Sequence, residues 1–189
     1  MSSLVFLMLL EAAAATQEAP LEPPATPHAI RMRGGIEGGP ALVHSPERYT
    51  LAGGELVGRI GLQLHPMVAL VYQGGLAFYG GNADFGDIGE SPSYFAVQSA
   101  PMVLVTPVDF FELGAGPAVD AVIEHEDFDT GVAVGADARL AFHIPVGPQD
   151  ERRFGVAIAF DFRPMNLFRE INPDFWLLHF QLGAGVEWY

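Results

Sequence analysis

The sequence predicts an all-β fold, an eight-stranded antiparallel up-and-down transmembrane β-barrel, on three observations. Apolar and polar residues alternate with period two over most of the chain after residue 28. The alternating runs are separated by clusters of Gly, Pro, Asn, Asp and Ser, the residues of turns. The polar parity holds mostly Gly, Ala and Gln with isolated Arg and acidic residues, too little charge for a face that meets water.

Composition excludes several classes. A chain of 189 residues that is half apolar and 17% charged is no disordered tail, and its 22 Gly and 15 Pro follow no collagen period. Cysteine is absent, which removes disulfides, thiolate nucleophiles and Cys-ligated metals. Nine basic residues, all Arg, face 23 acidic ones; the formal charge of -14 repels phosphate backbones, so nucleic acid is not an expected partner. The mean hydropathy of +0.25 asks where so much apolar area is placed.

From the N-terminus, residues 1–15 read as a secretory signal: the apolar run Leu4 to Leu10 precedes Ala12 to Ala15, an A-x-A cleavage context, although Met1-Ser2-Ser3 carries no basic residue and Glu11 interrupts the approach. Residues 16–27, TQEAPLEPPATP, hold four prolines and no apolar period, and read as an extended periplasmic linker. The barrel domain is residues 28–189, with strands at about 29–43, 50–64, 67–80, 94–106, 109–124, 130–144, 153–165 and 175–189. Each exceeds the roughly 9 to 11 residues that a tilted strand needs to cross a bilayer.

In the first strand Arg31, Arg33 and Glu37 oppose Ile30, Met32, Ile36 and Leu42. The second sets Glu55, Arg59 and Gln63 against Leu56, Ile60, Leu62 and Leu64. The third and fourth fall within uncharged stretches, 60–83 and 91–108, whose Pro66, Pro92, Pro101 and Pro107 and frequent glycines argue against membrane helices. The fifth separates Glu112, Asp120 and Glu124 from Leu113, Val119 and Ile123, and the sixth separates Asp137, Arg139 and His143 from Val132, Val134, Leu140 and Phe142. The seventh places Asp161 and Arg163 opposite Phe154, Val156, Ile158 and Phe160. Across the strands the apolar parity contains one carboxylate, Asp109, beside a turn.

Alternation alone also fits a soluble sandwich or a lipocalin-like binder with its apolar face inward. The sparse polar face decides for the inverted arrangement. An eight-stranded barrel has an interior just wide enough for side chains to fill, which suits small residues and paired charges: Arg59, Arg139 and Arg163 with carboxylates such as Glu55, Glu112, Asp137 and Asp161. Turned over, each Arg near the bilayer midplane would cost roughly 2 to 4 kcal/mol. The expected lumenal network is therefore Arg31, Arg33, Glu37, Glu55, Arg59, Glu112, Asp120, Asp137, Arg139, Asp161 and Arg163, with His143 and His179 as hydrogen-bonded fillers. Aromatics sort to two expected interface girdles, Phe78, Tyr94, Phe95, Phe162 and Trp176 at one rim and Phe111, Phe142, Phe154 and Trp188 at the other. Short periplasmic turns at 65–66, at 107–108 and over 145–152 alternate with longer external loops.

Residues 28–189 resemble, in pattern and strand number, the small outer-membrane β-barrels of Gram-negative bacteria, of the OmpA-domain, OmpX and OmpW type. The most specific part is the C-terminus, where Gln181, Gly183, Val186 and Trp188 are similar to the signal read by the barrel-insertion machinery, with Tyr189 following where members commonly end on the outward aromatic. The resemblance implies a bacterial outer-membrane location and, as partners, outer-membrane lipids, lipopolysaccharide and, during biogenesis, that machinery.

The expected role is structural or surface-interacting, with no enzyme site, cofactor or metal. The runner-up is a narrow channel for small or apolar solutes along Gln63, Gln73, Gln98 and Gln181; a lipid A-modifying enzyme and the soluble lipocalin-like binder rank behind it. For catalysis the candidates are His44, Ser45, Glu47, Asp87 and Ser91, but neighbours such as 44 and 45 point to opposite faces of a strand. Asp84, Asp87 and Glu90, and Glu124, Glu126, Asp127 and Asp129, make two external segments acidic; solvated loops rank above a cation site, and EHEDFD lacks the EF-hand pattern.

Overall fold

The computed structural model describes residues 30–46, 49–82, 93–124, 130–146, 154–168 and 173–188. The expected signal and linker, and the acidic segments at 84–90 and 126–129, lie outside them. Eight strands follow in chain order: β1 Arg31–Ser45, β2 Tyr49–His65, β3 Val68–Asn82, β4 Ser93–Val108, β5 Phe111–Glu124, β6 Thr130–Val146, β7 Phe154–Phe168 and β8 Pro173–Trp188. Each pairs antiparallel with the next, and β8 pairs with β1 to close the barrel. Closure satisfies the backbone donors and acceptors that an open sheet would leave on its edges.

The sheet closes where residues are small enough to let strands approach. At the β8–β1 seam Gly185 pairs with Glu37, and a Cβ on that glycine would lie 2.5 Å from both the Cα and the Cβ of Glu37. Two connections at the barrel end that carries Arg31 and Trp188, here the terminal end, are two residues long: Pro66-Met67 and Asp109-Phe110. The second of these lies two residues beyond the expected 107–108. Asp109, the one carboxylate on the apolar parity, is thus an exposed turn residue.

Side chains alternate across the wall in the inverted sense. Ile36 is 57% exposed and its neighbour Glu37 2%; Leu140 is 37% exposed and Arg139 2%. Leucines, isoleucines and phenylalanines therefore cover the outside while the ionic residues fill the inside. The interior is not ionic throughout. Toward the end opposite the termini it becomes an apolar and aromatic layer of Val43, Leu51, Tyr79, Tyr94, Leu167 and Leu177.

Two expected girdle residues stand elsewhere. Tyr94 faces the lumen, 3% exposed, with its ring 5.5 Å from Tyr79 and 6.2 Å from His179. It precedes Phe95 on the same strand, so the two cannot share a face. Phe162 faces outward but pairs with Ala138, halfway along β6 and β7, and packs 5.1 Å from Phe180. Phe78 and Phe95 pair near one rim, while Phe111 with Phe142, and Phe154 beside Trp188, mark the other. Trp176 is outward and exposed.

Candidate functional site

The site that the alternation builds is the lumen itself. Every second residue of each strand points inward, and among the described residues four guanidiniums and seven carboxylates converge there, each buried: Arg33, Arg59, Arg139 and Arg163, with Glu37, Glu55, Glu112, Asp120, Asp137, Asp161 and Glu187. Charges buried without partners would be prohibitive, so their geometry decides whether the barrel can stand.

At the terminal end the pairing is dense. Arg59 on β2 donates to both oxygens of Glu37 at 2.7 Å, and to Glu187 at 2.9 Å. Arg139 on β6 reaches Glu37 at 2.7 Å, Asp161 at 3.1 Å, Glu187 at 3.1 Å and Glu112 at 3.3 Å. Arg33 pairs with Glu112, and with Glu187 at 3.0 Å. His143 stands between Glu187, at 3.3 Å, and Glu112, at 3.7 Å. These bonds are charge-assisted, the stronger kind of protein hydrogen bond.

A second, sparser cluster lies farther along the axis. Arg163 on β7 pairs with Asp137 at 2.8 Å and Asp120 at 3.1 Å, and His179 approaches Asp120 at 3.8 Å. Gln73 joins the two clusters, accepting from Arg59 at 3.2 Å and donating to Asp137 at 2.9 Å. Gln63 accepts from Arg33 at 3.2 Å and donates to the carbonyl oxygens of His65, at 2.6 Å, and Pro66, at 3.2 Å, which fixes the β2–β3 turn.

Of the expected network, the lumen gathers all but Arg31, which shares the inward parity yet is exposed at the rim, beyond the buried cluster. Glu55 is inside but enters no direct ion pair among the described residues, against the expectation. Glu187 is not among the expected residues and is a hub, meeting Arg33, Arg59, Arg139 and His143. Its parity with Gln181 and Gly183 marks it as lumenal.

Chemically the arrangement is a lumen in which ion pairs and amides share the interior with aliphatic and aromatic side chains: Val71, Met102 and Leu104 stand toward the terminal end, and the ring-rich layer lies opposite. Of the residues weighed for catalysis, the two described face apart: His44 Nδ1 hydrogen-bonds Thr50 Oγ1 at 2.7 Å across β1 and β2, whereas Ser45 is buried on the other face. Glu47, Asp87 and Ser91 lie outside the described residues.

No protein-family model matches the chain, and no curated protein matches it. Solved structures do. Neisserial surface protein A superposes with a TM-score of 0.55 at 10% identity, covering 85% of this chain and 99% of that one. The fold is that of the small eight-stranded outer-membrane β-barrels. Ail, the attachment invasion locus protein of Yersinia pestis, solved in complex with the heparin analogue sucrose octasulfate, matches with a TM-score of 0.50 at 11% identity, over 84% of this chain and 99% of that one. At such identities the likeness is one of fold alone.

Proposed function

We propose that this chain is an outer-membrane protein with a structural and surface-interacting role: a plugged barrel that anchors the connecting segments opposite its termini at the cell surface. One observation carries the reading. Among the described residues, large apolar side chains are exposed on the outside while four arginines and seven carboxylates are buried within, an arrangement stable in a bilayer and unfavourable in water. The location agrees with that of the solved barrels it resembles.

The C-terminal strand supports assembly by the barrel-insertion machinery, since Gln181 and Gly183 face inward while Val186 faces outward and Trp188 lies on the outward parity, as a strand-borne signal requires. Lipopolysaccharide and membrane lipids are then the partners of the wall, with Trp176 and Trp188 near its two ends. The surface partner differs in charge from the polysulfated sugar of the Ail complex. A chain of formal charge -14, with acidic segments at 84–90 and 124–129, favours a cationic partner or one bridged by divalent ions.

The experiment is cell fractionation with heat-modifiable gel migration, followed by planar-bilayer conductance of the purified barrel. The expected result is outer-membrane recovery, a migration shift on boiling and no stable channel. Recovery in the soluble periplasm would overturn the membrane reading. A reproducible unitary conductance would replace the plugged barrel by the narrow channel.

A further inference from the structure

Four prolines stand within strands, away from their ends and on the outer parity: Pro40 in β1, Pro101 in β4, Pro117 in β5 and Pro164 in β7. A proline brings no N–H to a ladder, and sheets ordinarily confine it to edges, of which a closed barrel has none. The ladder breaks beside each. In β1–β8 the break lies between the pairs Gly38–Ala184 and Ala41–Gln181, and in β6–β7 between Gly135–Met165 and Ala138–Phe162. The break in β4–β5 is longer, from Ser99–Val119 to Val103–Ala115, because two prolines meet there: the register sets Pro101 opposite Pro117. Neither can donate to the other, in a layer where no water substitutes. The same ladder shifts register again between Val105 and Val108.

Side chains span the other two breaks. Arg139 with Asp161, and Arg163 with Asp137, tie β6 to β7, and Arg33 with Glu187 ties β1 to β8. No ion pair can do so at β4, which carries no charged residue. Its lumenal polar contact, Gln98 to His179 at 3.5 Å, reaches across to β8. Toward the external side of the break the Asp120 carboxylate accepts from the backbone of Ser99, which bounds the weak stretch at that end. On its other flank β4 is held to β3 by an unbroken ladder that includes Tyr72–Pro101, and on the outer face by Tyr72 Oη and Ser99 Oγ at 2.8 Å.

The inward faces beside the break are apolar. Ala100, Met102 and Leu104 of β4 meet Gly114, Gly116 and Ala118 of β5, so the contacts that close the wall there are dispersive and undirected. Separating these strands locally would bring alanine, methionine and leucine toward acyl chains, whereas parting β6 from β7 would break the pairs of Arg139 and Arg163 in a low dielectric.

We propose that β4–β5 is the seam of this barrel: the two strands part around Pro101 and Pro117 in a local opening that leaves the ion-paired remainder of the wall closed.

The test is amide hydrogen exchange, followed by nuclear magnetic resonance, on the full chain folded in detergent micelles. Val103, Ala115 and Val119, beside the β4–β5 break, should exchange about tenfold or more faster than Val134, Ala138 and Phe162, beside that of β6–β7. Pro101→Val together with Pro117→Val returns both missing donors and should slow the first group to the rate of the second. Pro164→Val should leave the first group unchanged. Heat-modifiable migration shows whether each variant is folded, and the wild-type comparison decides alone if one is not. Equal or slower exchange beside the β4–β5 break in the wild type would overturn the proposal. So would fast exchange that persists with both prolines replaced, or that Pro164→Val abolishes equally. The membrane location is decided by fractionation, so the two readings fail separately.

Discussion

Glu37 on β1 accepts hydrogen bonds from two guanidiniums at once, from Arg59 at 2.7 Å through each oxygen and from Arg139 at 2.7 and 3.1 Å. Arg59 belongs to the adjacent strand, but Arg139 sits on β6, three places round the ring in the other direction. One carboxylate thus braces the cylinder across its diameter, adding to the backbone ladder that closes it around its circumference.

Removing that charge should be costly. Glu37→Gln keeps the volume but removes one of the two carboxylates that Arg59 and Arg139 share, Glu187 being the other, and breaking a buried pair costs about 3–5 kcal/mol. Denaturant unfolding of the micelle-embedded barrel should show the loss as a lower midpoint. Arg31→Gln, at an exposed rim position, should stay within about 0.5 kcal/mol of the parent. Equal effects of the two substitutions would mean that the lumenal network does not hold the barrel together.

Gln73 provides a separate test because it joins the two ionic clusters. Gln73→Leu fills the same space but withdraws a donor from Asp137 and an acceptor from Arg59, and should cost about 1–3 kcal/mol through the buried groups it strands. The same unfolding assay reads it. Substituting both Gln73→Leu and Glu37→Gln should cost less than the sum, since both act on Arg59; strict additivity would show that the clusters are uncoupled.

How far the sequence reveals this architecture follows from what period two can and cannot encode. Parity reports which face a residue takes, so strand number, inversion and the lumenal positions of Arg59, Arg139 and Asp161 are legible. Tyr94 departs from its expected girdle because its parity with Ala96 and Gln98, rather than its aromatic character, decides its face. Parity says nothing of height, which is why Phe162, expected at a rim, sits midway. Nor does it name partners: Glu37 and Arg139 are 102 residues apart, and only closure of the ring brings them together. Glu187 hides among terminal residues that resemble an assembly signal, although its alternation with Val186 and Trp188 places it inside.

The outer face makes a depth-dependent prediction. Leu140 points outward near the middle of β6, and Val146 points outward at its end. In lipid vesicles Leu140→Arg should destabilise folding by about 2–4 kcal/mol and Val146→Arg by about 0–1, because the penalty for a cation falls toward the interface. Equilibrium folding into vesicles measures both. Similar small penalties at both positions would place the wall in water.

Two glycines of β8 separate folding from assembly. A methyl on Gly185 would be driven into the backbone of Glu37 at the closing seam, so Gly185→Ala should destabilise the barrel by about 1–3 kcal/mol wherever it folds. At Gly183 the nearest atoms to an added Cβ are the Gln181 amide nitrogen and the Glu37 side chain at 3.4 Å, an ordinary contact. Gly183→Ala should therefore refold in detergent as the parent does. If Gly183 is read with Gln181, Val186 and Trp188 as an assembly signal, the same variant should accumulate poorly in the outer membrane of cells. Comparing the heat-modifiable fraction after refolding with that recovered from cells distinguishes the two effects. A Gly183→Ala protein that assembles normally in cells would remove the signal reading while leaving the barrel intact.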